Sequence, residues 1–286
     1  MKFSIKVATL TALAFLSVSV KADSTSDAIA AFCDGLNVTS PVGTDVVVAG
    51  QNATVTVTRV PNDKTKTITG LDLYSVGSDG TPKYVKNTWS GNYTLNTQAS
   101  LKDAIPSDAS AGLYYFRVWV TNIIDGAHGP DCIKTSKNFK VTTGTHTNAA
   151  GFISYAEHLN DETIYKPEHI KGCFGLKVTS PAEGDSTKQG NHVSITLNRD
   201  SASQTEALTK VDIYKKSSDG QDELVDAVWA GHEAITNVIT LKDQIKIPSD
   251  KYDADAQYYY KIQVTSSVQK DETCTFQSSY VKIYAA

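Results

Sequence analysis

The chain has 286 residues, of which 20% are charged, and its formal net charge is only −4, with no basic run anywhere. A charge this mild excludes nucleic-acid binding and an electrostatic hold on a membrane surface. Four cysteines in a chain with a leader-like start point instead to a disulfide-bonded extracellular protein.

The N-terminus reads as a signal peptide over residues 1–22. Met1 to Lys6 is basic, and the apolar run from Val7 to Val20 is about two-thirds of the length that spans a bilayer. Val20-Lys21-Ala22 supplies a cleavage site, so the mature chain is expected to begin at Asp23. No later segment approaches membrane length and the end, Ser278 to Ala286, is not an anchor tail, so neither a transmembrane helix nor a glycolipid anchor is expected.

Beyond the leader the chain repeats itself. Cys33-Asp34-Gly35-Leu36-Asn37-Val38-Thr39-Ser40-Pro41 returns 140 residues later as Cys173-Phe174-Gly175-Leu176-Lys177-Val178-Thr179-Ser180-Pro181. The register holds through Gly50/Gly190, Arg59/Arg199, Tyr74/Tyr214, Trp89/Trp229 and Asp103/Asp243. After small insertions, Tyr114-Tyr115-Phe116-Arg117-Val118 matches Tyr258-Tyr259-Tyr260-Lys261-Ile262, and Cys132 matches Cys274. This is a tandem duplication, with domain one over residues 31–143, a linker over 144–171 and domain two over 172–286. Four cysteines allow three pairings. Duplication favours the one internal to each repeat, Cys33 with Cys132 and Cys173 with Cys274, each closing a loop worth on the order of 4 to 5 kcal/mol in the chain-entropy account.

Within repeat one, Ala53 to Thr58 alternates apolar and threonine residues, the period of a half-buried strand, and Val193 to Leu197 keeps the parity in repeat two. Further strands are predicted at Leu36 to Thr39, Leu71 to Tyr74, Lys83 to Thr88, Tyr93 to Leu95, Leu113 to Thr121 and Lys137 to Val141. Turn signals separate them at Pro41 to Gly43, Ser78-Asp79-Gly80, Ser90-Gly91-Asn92, Pro106 to Asp108 and Asp125-Gly126. The expected fold is all-β: two tandem immunoglobulin-like or fibronectin-III-like antiparallel sandwiches with one disulfide each. The cysteines lie before the first strand and just before the last, so each bridge is terminal rather than central. The linker begins small and polar and then offers a short helix over Ile153 to Ile164.

Chemistry is sparse. Asn37, Asn52 and Asn92 head three N-glycosylation sequons, all in repeat one, and this leaves repeat two as the expected contact surface. His232-Glu233 opens like a zinc-protease helix, but Thr236 replaces the second histidine. There is no nucleophile elbow and no phosphate loop, and Asp23 is not the histidine a copper oxygenase needs first. His146, His158 and His169 in the linker fit no ligand spacing, and Asp103, Asp243, Asp108 and Asp250 suit turns and caps. The expectation is therefore no catalytic residue, no metal and no cofactor. Exposed aromatic rings stack on sugars, and the candidates for glycan contact are Trp229, Tyr258 and Tyr260, the tyrosines belonging to a run that alternates across a strand. The competing reading of the tryptophan is core filling.

Leu36-Asn37-Val38-Thr39-Ser40-Pro41 followed by Gly50 to Val57, together with its copy at Leu176 to Pro181 and Gly190 to Leu197, resembles the N-terminal domain of the fungal Kre/Knh cell-wall synthesis proteins. The same module occurs in the Ser-Thr-rich glycolipid-anchored membrane family. Arg59 and Arg199 stand where that family commonly carries tryptophan, and its stalk and anchor tail are missing. The resemblance implies a secreted fungal protein, structural or scaffolding, acting in β-glucan assembly or wall organisation. Its partners would be wall polysaccharide or wall protein. The alternative is an extracellular glycan-binding or adhesive module without catalysis.

Overall fold

The computed structural model describes residues 24–124, 127–129, 131–147, 149–151, 153–155, 166–216, 222–269 and 271–285. The expected signal peptide and Asp23 lie outside the described residues. A helix, α1 (Ser24–Cys33), precedes the first strand, where no element was expected. Its last turn buries Phe32 in the core of repeat one. Lys66 Nζ donates to Phe32 O at 2.5 Å and Asp34 O at 2.9 Å. A cation there satisfies carbonyls that the helix end leaves without partners.

Repeat one is a sandwich of β1 (Leu36–Ser40), β2 (Val46–Val48), β3 (Asn52–Arg59), β4 (Thr67–Val76), β5 (Pro82–Thr94), β6 (Gln98–Ala104), β7 (Gly112–Thr121), β8 (Ile123–Ile124), β9 (Ala127–His128), β10 (Cys132–Thr135) and β11 (Phe139–Thr142). One sheet has the order β1-β3-β6; the other runs β2-β11-β7-β4-β5, with β10 also pairing β7. Val55 and Val57 from the small sheet meet Leu71, Leu73, Phe116 and Val118 from the large one, and the threonines between them point outward, as the alternation predicts.

The linker forms a hairpin of β12 (Thr145–Thr147) and β13 (Ile153–Tyr155), then a single turn of helix, α2 (Pro167–Ile170). The helix expected from Ile153 is thus a strand at its start, because Ile153 pairs with Thr147; residues 156–165 lie outside the described residues.

Repeat two repeats the plan with β14 (Leu176–Ser180), β15 (Ser186–Lys188), β16 (His192–Arg199), β17 (Thr205–Lys215), β18 (Glu223–Ala234), β19 (Val238–Gln244), β20 (Gln257–Ser266), β21 (Thr273–Gln277) and β22 (Val281–Tyr284). Its sheets are β14-β16-β19 and β15-β22-β20-β17-β18, with β21 on β20. Both expected disulfides are present, Cys33–Cys132 and Cys173–Cys274. Ser90-Gly91-Asn92 makes no turn: β5 runs on to Thr94 and absorbs the strand expected at Tyr93. Gly91 instead makes room for a ring, since a Cβ there would lie 2.7 Å from Trp89 Cζ2, and Gly231 does the same for Trp229.

The two sandwiches are locked together. Phe174 inserts between Val76, Leu113 and Tyr115 on the outer face of repeat one's large sheet. Tyr115 Oη donates to Ala202 O, and Gly175 N donates to Gly80 O at the β4–β5 turn. Asn138 donates to His169 O and to Gln204 Oε1, while Gln204 Nε2 donates to Ser136 O. These buried hydrogen bonds across the joint fix one orientation of the modules. The linker's end is accordingly buried, with His169 packed edge-on to Phe174, where an exposed segment was expected.

Candidate binding face and interdomain cleft

The tyrosines proposed for sugar contact are in the wrong place. Tyr258 and Tyr260 are both 0% exposed and belong to the hydrophobic core of repeat two. The strand alternates as expected, but its parity turns these two inward. Tyr259 is the outward one, and Tyr280 and Lys261 cover it. Trp229 is half-buried against the core and over Gly231, which leaves it a packing role. His232 and Glu233 lie on strand β18, not on a helix. His169 is buried at the joint, and His158 falls outside the described residues. Asn37, Asn52 and Asn92 are all exposed.

A cluster of partly exposed aromatic rings lies on repeat one. In β7, Phe116 and Val118 face the core, so Tyr115, Arg117 and Trp119 share the outer face. Register sets Tyr74 between Tyr84 and Tyr115, Asp72 opposite Arg117, and Gly70 opposite Trp119. A Cβ at Gly70 would lie 3.5 Å from Trp119 Cδ1, so the glycine lets the indole lie close to the sheet. Tyr84, 58% exposed, packs edge-on to Tyr74.

Arg117 is held in this group by two rings. Its guanidinium lies 5.2 Å from the Tyr74 centroid and 5.5 Å from that of Trp119, and Nη1 donates to Tyr74 Oη at 3.0 Å. Asp72 does not neutralise it. One Asp72 oxygen accepts the Trp119 indole N–H at 2.6 Å and the other accepts the Asn87 amide at 2.9 Å.

Beside this platform a cleft of about 440 Å³ opens between the repeats. Arg117 and Lys134 come to it from repeat one and Arg199 from repeat two. Arg199 clamps its own loop through Thr205 O, Thr236 O and Ser203 O, as Arg59 clamps the matching loop through Leu95 O and Asn62 O. Burial, and then the nearby charge of Arg117, push the Arg199 pKa below its usual value, against the pull of Glu206.

No protein-family model and no curated protein matches this chain. Among solved structures it is similar to the fibronectin(III)-like modules of Clostridium thermocellum CbhA, at 12% identity over 88% of this chain and 95% of that one, with a TM-score of 0.23. A score that low lends nothing to the reading of the site. The fold rests on the strand order, the paired sheets and the two disulfides described above. Among the described residues no helix is long and apolar enough to cross a membrane, and no group of three metal-ligating side chains converges.

Sequence reasoning missed this face because its members are scattered over three strands. The signal available was in the comparison of repeats: Trp119 and Gly70 become Gln263 and Lys210 in the second copy.

Proposed function

We propose that the chain is a non-catalytic extracellular binding module whose ligand is a glycan, gripped on the outer face of repeat one. The observation that carries this reading is the Tyr84–Tyr74–Arg117–Trp119 platform, where rings and a planar cation lie side by side on one sheet face. Aromatic faces stack on the apolar faces of sugar rings, and the flanking Asn87 and Asp72 offer polar groups for sugar hydroxyls. The contact surface is thus repeat one, despite its sequons.

A second reading, that the protein is a secreted, wall-associated scaffold in fungal β-glucan organisation, draws on the resemblance at Leu36 to Pro41. The rigid joint around Phe174 favours it, since fixed spacing between two modules suits a structural spacer.

Retention of the full chain on insoluble β-glucan, chitin and whole fungal walls tests both. Saturable binding to one purified polysaccharide, weakened about tenfold by Trp119→Ala and left intact by Trp229→Ala, is the outcome expected of the glycan module. Retention on whole walls alone favours the scaffold, and no retention on any of the three overturns both readings.

A further inference from the structure

The interdomain cleft has a charge character that a neutral sugar does not use. Its lining carries four cations, Arg117, Lys134, Lys137 and Arg199, against one carboxylate, Glu206, a net +3 in a chain whose total is −4. A cleft lined by one sign of charge concentrates the field within it.

Arg117 is the decisive group. It is 9% exposed, yet among the described residues only one of its five N–H donors has a hydrogen-bond acceptor, the Tyr74 hydroxyl. Among the described residues no carboxylate lies within ion-pair distance of Arg117 or Arg199. Burying an arginine without a counterion is costly, and setting a second arginine nearby adds repulsion. The stacked rings hold the guanidinium plane fixed, and this leaves its edge as a rigid fork of donors. A fork of that kind matches the two oxygens of a planar or tetrahedral oxyanion. On the opposite wall Ser201 adds an exposed hydroxyl, while those of Ser203 and Thr205 are buried and paired with each other.

The geometry points to an oxyanion subsite in this cleft, centred on Arg117 with Arg199 across from it, that takes the carboxylate or sulfate of an acidic glycan whose neighbouring rings lie on Trp119 and Tyr74. The ligand class rests on the glycan reading above; the charge preference is new. Asn37 lines the same cleft, so a glycan on its sequon would stand at the mouth and compete with a long ligand.

Isothermal titration of the full chain, with Asn37→Gln removing the sequon, tests the subsite. Three oligosaccharides of equal length serve as probes: a neutral β-glucan fragment, an oligouronate and a sulfated analogue of the neutral one. Tighter binding of at least one acidic probe than of the neutral one, with the margin shrinking as salt rises, is the expected result. Arg117→Gln is expected to weaken the acidic probe about tenfold, clearly more than it weakens the neutral probe, and Arg117→Lys to recover part of the loss. Lys137→Glu, on an exposed position that supports no packing, is expected to weaken the acidic probe in the same direction and so covers the case in which Arg117→Gln misfolds. Preference between carboxylate and sulfate identifies the source of the anion. Equal affinity for all three probes, or acidic affinity unmoved by Arg117→Gln and Lys137→Glu, overturns the subsite while the neutral glycan reading survives. Binding of none overturns both.

Discussion

The two repeats share an interior and differ on one face. Val55, Leu71, Leu73, Phe116 and Val118 have Ile195, Val211, Ile213, Tyr260 and Ile262 as buried counterparts. On the outer face of the large sheet the pairs are unlike: Val76 against Lys216, Leu113 against Gln257, Gly70 against Lys210, Trp119 against Gln263 and Asn138 against Tyr280. Repeat one keeps that face apolar and open, and Phe174 fills part of it. Repeat two closes the same face upon itself. Tyr280 packs edge-on to Tyr259, Lys261 lies 4.1 Å from the Tyr214 centroid, and Tyr259 donates to Asp222. The position of Phe174 is Asp34 in repeat one, so the first module carries no ring to plug into another copy. Duplication has therefore kept what folds each sandwich and given the outer faces different tasks, one receiving and one terminating.

The sharpest way to test that the interiors are equivalent is to open the disulfides one at a time. The bridges span 99 and 101 residues, so loop entropy assigns each about 4 to 5 kcal/mol. Paired Cys→Ser variants, followed by chemical denaturation, are expected to lose similar amounts in the two repeats. A loss confined to one would show that the modules do not stand on equal cores.

Phe174→Ala attacks the difference instead. Emptying the pocket among Val76, Leu113 and Tyr115 is expected to cost about 3 kcal/mol, as for a buried phenylalanine. Calorimetry of the full chain is expected to resolve two transitions in place of one coupled unfolding. Asp34→Ala, at the matching position, is expected to leave a single transition.

The smaller contribution of the joint is polar. Tyr115→Phe leaves Ala202 O without its donor, with an expected loss of about 1 kcal/mol. Tyr259→Phe removes one donor from the carboxylate of an exposed residue, Asp222, and is expected to cost less. Burial raises the Tyr115 hydroxyl well above the usual tyrosine range. Its folded pKa exceeds the unfolded value of about 10, so this stability is whole below that pH and is lost as pH rises beyond it. Denaturation midpoints of wild type are expected to fall above that pH more steeply than those of Tyr115→Phe.

How much of this was legible follows from where each kind of residue sits. The repeat offset placed both disulfides, and the alternation at Ala53 to Thr58 placed the parity of β3, because neighbours in sequence carried both signals. Ser90-Gly91-Asn92 misled because glycine there serves the Trp89 ring rather than a turn. Tyr258 and Tyr260 misled because an aromatic run gives alternation but not which parity faces the core; Ile262 and Val264, two and four residues on, point to the same buried face. The platform was hidden because Tyr74, Arg117 and Trp119 meet only through the register of β4 with β7. His169 was hidden because its burial depends on a second module folding over it.

His169 also gives the smallest test, one that only the joint can answer, since the linker exists in a single copy. Burial lowers its pKa, outweighing the pull of Glu168 and Asp79 and helped by Lys166, and its Nδ1 is buried without a partner. With the folded pKa below the unfolded value of about 6.5, the unfolded chain binds the proton first. Stability is thus present above about pH 6.5 and drains away as pH falls below it. Calorimetry at about pH 7.5 and about pH 5 is expected to show the joint loosening in wild type and less so in His169→Gln, which cannot be protonated. An acid response identical in the two proteins would move its origin from the joint to carboxylates elsewhere, and the contrast between a receiving and a terminating repeat would then rest on Phe174 and the unlike outer faces without the linker histidine.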